Sequence, residues 1–143
     1  MFSLKDYVSV HWNSDDWNGE RQGNAMILIN LCGKLQAIME ADNVHFPINP
    51  KTGTTISGEI YGGFRPQACP IGAPGSAHKE GQAVDRYDPD NLIDAYITQF
   101  DDGNGGNSLL EQVGLYREHP DSTPGWSHWT TRAPASGHRT FMP

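Results

Sequence analysis

Only one stretch of this chain, Asn24 to Ala41, sustains a helical period over several turns: Leu28, Leu31, Leu35 and Ile38 recur at spacings of three and four. That spacing belongs to an amphipathic helix with one face on a core. The remaining apolar residues come in shorter runs cut by turn formers, and the 16 Gly and 10 Pro among 143 residues exceed the usual share. A loop-rich α+β domain built against one long helix is the expectation, with residues 1–143 forming a single domain around one modest core. A formal charge of -7 argues against nucleic acid or an anionic lipid surface as partner. No run approaches the roughly 20 apolar residues that span a bilayer. The start Met1-Phe2-Ser3-Leu4-Lys5-Asp6 lacks the basic and apolar regions of a signal peptide, which predicts synthesis as a soluble cytosolic chain. Cys32 and Cys69 have no metal-knuckle or disulfide-framework spacing; Cys32 reads as buried and Cys69 as a loop thiol.

Along the chain, a polar opening with Trp12 and Trp17 precedes the helix. Asn43 to Ser57, with Pro47, Pro50 and Gly53, reads as a long loop or irregular hairpin. Ile60, Tyr61 and Phe64 form a short, strand-like piece, and Gly72 to Gly75 a tight loop. From Gly81 the alternation predicts a strand with Ala83 and Asp85 on one face. Asp88-Pro89 has the form of a helix N-terminus before the stripe Leu92, Ile93, Tyr96, Ile97 and Phe100. Ser108 and Glu111 have capping-box spacing and Gly114 that of a terminator, which predicts a short helix. Leu115–His119 and Trp126–Thr131, separated by a Pro- and Gly-containing turn, predict a hairpin. The result is a small antiparallel sheet with flanking helices.

The richest chemistry lies in Ser76-Ala77-His78-Lys79-Glu80-Gly81-Gln82-Ala83-Val84-Asp85. An imidazole on a loop and a carboxylate on the strand it enters can converge, and the small residues between them leave room for a ligand. A catalytic zinc site takes three protein ligands and keeps a fourth position open. His128, mid-strand between Trp126 and Trp129, is the best-placed third ligand; a surface His, a capping Asp and a core-edge His are the alternative reading of the three. His11, His45 and His138 have no spacing that brings them there, and the four tryptophans read as packing.

That decapeptide, preceded by Gly63-Phe64-Arg65-Pro66 and followed by the Trp-flanked His128, resembles the motif of the zinc D-Ala-D-Ala carboxypeptidase family. The family includes the vancomycin-resistance dipeptidase and phage L-alanyl-D-glutamate endolysins, and shares its metal-site fold with hedgehog domains. The segments Gly114-Leu115-Tyr116-Arg117-Glu118-His119-Pro120, Thr123-Pro124-Gly125-Trp126-Ser127-His128 and Ser136-Gly137-His138-Arg139-Thr140-Phe141-Met142-Pro143 are similar to those of small phage-encoded members. The resemblance implies a hedgehog- and DD-peptidase-like fold, with His78, Asp85 and His128 as ligands of Zn2+. It further implies Arg65 as the guanidinium holding a substrate carbonyl or carboxylate, and Ser76 as a hydroxyl near substrate or, alternatively, a turn-stabilising side chain.

The chain departs from that pattern where most members carry the catalytic acid. Three residues before the last His stands Gly125, and two residues after it stands Thr130. Glu118 is the candidate for the proton acceptor, because a hairpin brings its strand beside His128. Strand alternation sends Glu118 and His119 to opposite faces without saying which meets the metal, so His119 and Asp121 stay as alternatives. The resemblance implies a metallopeptidase acting on the stem peptide of bacterial peptidoglycan, made in the host cytoplasm and acting on the wall, free or carried in a phage virion. A non-catalytic zinc module that binds the wall or builds a virion is the first alternative, and a zinc amidohydrolase on another small amide the second. Which stem-peptide bond is cut and the oligomeric state stay open.

Overall fold

A computed structural model describes all 143 residues as an α+β fold of four helices and a four-stranded sheet. Helix α1, Leu4–Val8, follows a reciprocal capping box in which the Asp6 N–H donates to Ser3 Oγ and the Ser3 N–H to Asp6 Oδ2. It buries Tyr7 and Val8, and the Ser3-x-x-Asp6 spacing was its one signal in the sequence. Helix α2, Gly19–Ala41, starts earlier than the apolar period does. Asn18 accepts the Arg21 N–H as its cap, so its first turn forms without a core-facing residue until Ala25. Leu28, Cys32, Leu35 and Met39 are buried on one face; Leu31 and Ile38 pack at its margin.

The sheet has the order β1-β3-β2-β4, with β1 Ala83–Tyr87, β2 Tyr116–Glu118, β3 Trp126–Thr130 and β4 Thr140–Phe141. The predicted hairpin of β2 and β3 is present, and β1 joins β3 antiparallel with Asp85 opposite His128. The sheet is mixed rather than antiparallel, because the C-terminal segment returns along β2 in the same direction and pairs Arg117 with Thr140. The piece around Ile60, Tyr61 and Phe64 is not a strand. Its glycines instead place single carbonyls against β1 and the turn before it, without a ladder. Helix α3, Leu92–Thr98, begins at Asn91 in the left-handed region rather than at Asp88. Asp88 still serves it, since its carboxylate accepts the N–H groups of Ile93 and Asp94. Leu92 is exposed, so the buried stripe is Ile93 and Ile97. Helix α4, Ser108–Val113, is capped by Asn107 through the Leu110 N–H rather than by Ser108, and ends at Gly114 with φ 86° as its terminator position predicts. Cys69 lies in a loop but is buried, as is Cys32, and both thiols are free. No helix is long and apolar enough to cross a membrane.

One face of the sheet closes the core with Val84 and the fully buried Trp129 against α2, while β2 adds Arg117. Arg117 has no exposure, and it is satisfied by charge and hydrogen bonds together. It donates to the Asp94 main-chain oxygen and carboxylate, to Asp101 Oδ2 at 3.0 Å and to Thr98 and Thr140 hydroxyls. Asp94 also accepts from Ser127 Oγ at 2.6 Å and Thr123 Oγ1 at 3.1 Å. This network ties α3 to β2 and β3 and holds β3 by Ser127, the neighbour of His128. Removing one partner of a buried pair strands the other charge. Asp94→Ala should lower unfolding free energy by about 3 kcal/mol, with Asp101 keeping part of the compensation, as read by chemical denaturation.

Candidate metal centre

Three pieces of backbone bring the predicted ligands to one point. Asp85 and His128 are cross-strand partners on the sheet face opposite Val84 and Trp129. His78 arrives from a 3-10 turn, Ala77–Glu80, that packs against β1. Ser76 caps that turn, its hydroxyl accepting the His78 N–H, and Gly81 ends it with φ 73°. A side chain at 81 would also meet the Arg21 carbonyl at 2.6 Å, so glycine is required there twice over.

His78 Nε2 lies 3.3 Å and His128 Nδ1 2.9 Å from Asp85 Oδ1. The three ligand atoms all lie within 4.8 Å of one another, and the residues are 2%, 7% and 9% exposed for His78, His128 and Asp85. Such a group can hold a metal ion. Its surroundings fit that use: His78 Nδ1 donates to the Gly63 carbonyl at 2.8 Å, which fixes the tautomer and turns Nε2 inward. Arg65 Nη2 donates to Asp85 Oδ2 at 3.2 Å, leaving Oδ1 to face the imidazoles.

The segment from Gly62 to Arg65 is the second layer of the site. The Gly62 carbonyl accepts the Asp85 N–H, the Gly63 carbonyl holds His78, and the Arg65 N–H donates to the His78 carbonyl. Added side chains at 62 and 63 would collide with the Ser57 and Tyr7 carbonyls, so both places admit only glycine. In the sequence Gly63 stands out only as the start of Gly63-Phe64-Arg65-Pro66 and Gly62 not at all; the doublet immediately before Phe64-Arg65 is the signal for both.

Burial pushes the His78 imidazole below its ordinary range and so favours the neutral, ligating form. Burial opposes charge on His128 as well, but the hydrogen bond and charge of Asp85, with Glu118 behind, raise its pKa overall. Burial would likewise raise Asp85, yet the charge and hydrogen bonds of the two histidines hold its carboxyl well below the usual carboxylate range.

The group opens onto a cleft of about 440 Å³ whose lining includes Arg65, Ser76, Glu118 and Arg132, with Ile71, Trp126 and Phe141 as apolar wall. Ser76 thus caps the turn and faces the cleft. Alternation on β2 resolves in favour of Glu118, whose Oε1 is 3.8 Å from His128 Nε2. His119 turns away to cap the 3-10 turn Pro120–Ser122, and Asp121 lies on that turn outside the cleft. Gly125 has φ 92°, a conformation that strains any residue with a side chain, so an acid at that place would have to distort the turn. The Thr130 hydroxyl is committed to the Gln82 carbonyl. His11, His45 and His138 lie outside the group and the cleft. Trp126 and Arg132, assigned no role from the sequence, both line the cleft.

In comparison with known proteins, no family model, no curated protein and no solved structure matches this chain.

His78→Ala and His128→Ala should each abolish stoichiometric binding of a divalent transition metal, measured on the purified chain by metal analysis after dialysis. Undiminished metal in both variants would refute the site. Ligation by His128 requires an imidazole that has lost its second ring proton. Because Asp85 raises the pKa of that imidazole, metal affinity should climb as pH rises through a value above the ordinary ~6.5. Calorimetry in buffers of different ionisation enthalpy should show proton release on the acid side of that value.

Proposed function

We propose that this chain is a zinc metallopeptidase that hydrolyses a peptide bond in the stem peptide of bacterial peptidoglycan. The observation that carries the reading is the convergence of His78, Asp85 and His128 at an open cleft that also holds a carboxylate, Glu118, and a guanidinium, Arg65. Two neutral imidazoles and one carboxylate suit Zn2+, which prefers N and O donors in a tetrahedron with one place left open. The resemblance of the His78–Asp85 motif and of the segments around Glu118, His128 and Phe141 to phage-type D-Ala-D-Ala carboxypeptidases supports the substrate class.

Zinc bound there would polarise the scissile carbonyl and bring the pKa of a coordinated water towards ~7. Glu118 is the carboxylate of the cleft left free of Arg65, and its role is to accept a proton from the attacking water and return it to the leaving amine. Arg65 is held by the Tyr61 carbonyl through Nε and by Asp85 through Nη2, which leaves Nη1 to donate to a substrate carbonyl or carboxylate. Ile71, Trp126 and Phe141 give the peptide an apolar bed and limit water at the reacting bond. Action on the wall follows from the substrate, and the enzyme reaches it free or as part of a virion.

A second reading, a non-catalytic zinc module that binds the wall or a virion, is favoured by Gly125 and Thr130 standing where family members carry an acid. The two readings part on one experiment, mass analysis of purified peptidoglycan fragments after incubation with the zinc-loaded chain. New stem-peptide termini support the peptidase; none, with zinc bound, supports the module. Cleavage only of amides outside the wall would indicate an amidohydrolase.

Within the peptidase reading, Glu118→Gln should retain zinc and the fold while hydrolysis falls by roughly 100-fold or more, the scale of a lost general base. Arg65→Lys should keep the charge beside Asp85 and the metal content but lower turnover, because an ammonium cannot make two contacts in a fixed fork. Wild-type kcat/KM in Arg65→Lys would reduce Arg65 to a partner of Asp85.

A further inference from the structure

We infer that Arg132 is a specificity-determining residue of this cleft, reading a carboxylate on the ligand and so selecting anionic peptides; that such a ligand is a substrate rests on the peptidase reading above. Two guanidinium groups line the cleft, and their situations differ. Arg65 is charge-compensated by Asp85. Arg132 makes no ion pair: Nε donates to Gln82 Oε1 at 3.1 Å and Nη1 to the Gly75 carbonyl at 2.6 Å, both neutral acceptors. Its main-chain N–H is tied to Thr130 Oγ1 at 3.0 Å. Nη2 has no protein partner and is not buried, since the buried side-chain nitrogens without partners belong to Arg86, and the residue lines the cleft.

The side chain is therefore positioned along its length by acceptors that leave its charge unanswered, with one donor edge free. A planar carboxylate suits that edge, and the cost of ordering the guanidinium is already met by Gln82 and Gly75. The electrostatics agree. The chain carries -7 overall, yet in this cleft Arg65 and Arg132 balance Asp85 and Glu118, and a bound divalent ion would leave the site positive. A cationic cleft on an acidic protein draws an anion to one place and repels it elsewhere. The Gly75 bond also anchors the loop that contributes Ile71, Gly72 and Ala73 to the lining, so the test must separate recognition from anchoring.

The probes are N-acetyl-D-alanine and N-acetyl-D-alaninamide, which differ only in the carboxylate and contain no bond between two residues. Their dissociation constants are measured by NMR titration on the full chain, zinc-loaded and metal-stripped, for wild type and Arg132→Gln. Wild type should bind the acid about tenfold or more tightly than the amide, the scale of a charged hydrogen bond. Arg132→Gln should lose that preference in both metal states, with amide affinity, zinc content and thermal midpoint unchanged. Equal losses for acid and amide would overturn the inference by making Arg132 a loop anchor only. A preference surviving in Arg132→Gln would overturn it by placing recognition elsewhere, as would an acid preference confined to the zinc-loaded form. Hydrolysis is scored separately. A chain that cuts no peptide yet shows the Arg132-dependent preference refutes the peptidase and keeps the carboxylate site. One that cuts acid and amide peptides equally, unaffected by Arg132→Gln, does the reverse.

Discussion

The pairing of β1 with β3 that sets Asp85 opposite His128 is the constraint on which the rest of this structure turns. A one-residue slip of either strand would send its site residue, Asp85 or His128, to the core face and bring its neighbour, Val84 or Trp129, out. The register is held from behind by what those two neighbours bury. It is held in front by a carboxylate that cannot sit buried without partners. Asp85 has three, His78, His128 and Arg65, and each comes from a different part of the chain.

The reverse face of the sheet is more polar than a core of this size would usually allow. Arg86, the neighbour of Asp85, is fully buried, with its guanidinium 4.7 to 4.8 Å from the ring centres of Phe2, Phe46 and Trp129. Its Nη2 donates to Gln36 and Thr55, and burial lowers its pKa to about 10. The faces of the guanidinium are met by π-systems while one edge is met by oxygens, so the charge is spread over contacts that do not compete with the cleft. Arg117 and Asp94 do the same for β2 and β3. Each of β1, β2 and β3 therefore carries a buried polar residue next to its cleft residue: Arg86 beside Asp85, Arg117 beside Glu118, Ser127 beside His128. Stability and site are coupled at the distance of one peptide bond.

Glycine does for the front of the site what these polar groups do for the back. Gly62 and Gly63 let carbonyls approach β1 and His78 where a methyl group would collide, and Gly81 turns the chain from His78 into the strand. Gly125 shows the converse, a backbone conformation that strains any residue with a side chain, and no acid stands at that turn. The carboxylate of the cleft is instead supplied by β2, on the outer nitrogen side of His128. A proton acceptor at Glu118 would approach the metal along the sheet rather than from the turn.

Much of this was legible in the order of residues, because the relevant interactions are local. The period of Leu28 to Ile38, the alternation through Ala83 and Asp85, the terminator Gly114 and the hairpin around Pro120–Gly125 follow from backbone geometry and burial over a few residues. Asp85 and His128 could be matched by pattern, and His78 by its spacing from Asp85. The mixed sheet, the partnering of Asp85 by Arg65, the inward turn of Glu118 against His119 and the unpaired charge of Arg132 were decided only in three dimensions. Each depends on a partner distant in the chain: β4 on β2, Arg65 on a strand some twenty residues away, Glu118 on the register with β3, Arg132 on Gly75 and Gln82. A sequence states which groups a chain owns and how its local segments prefer to bend. Which of those groups lose water together, and which one keeps an open edge, is settled by packing.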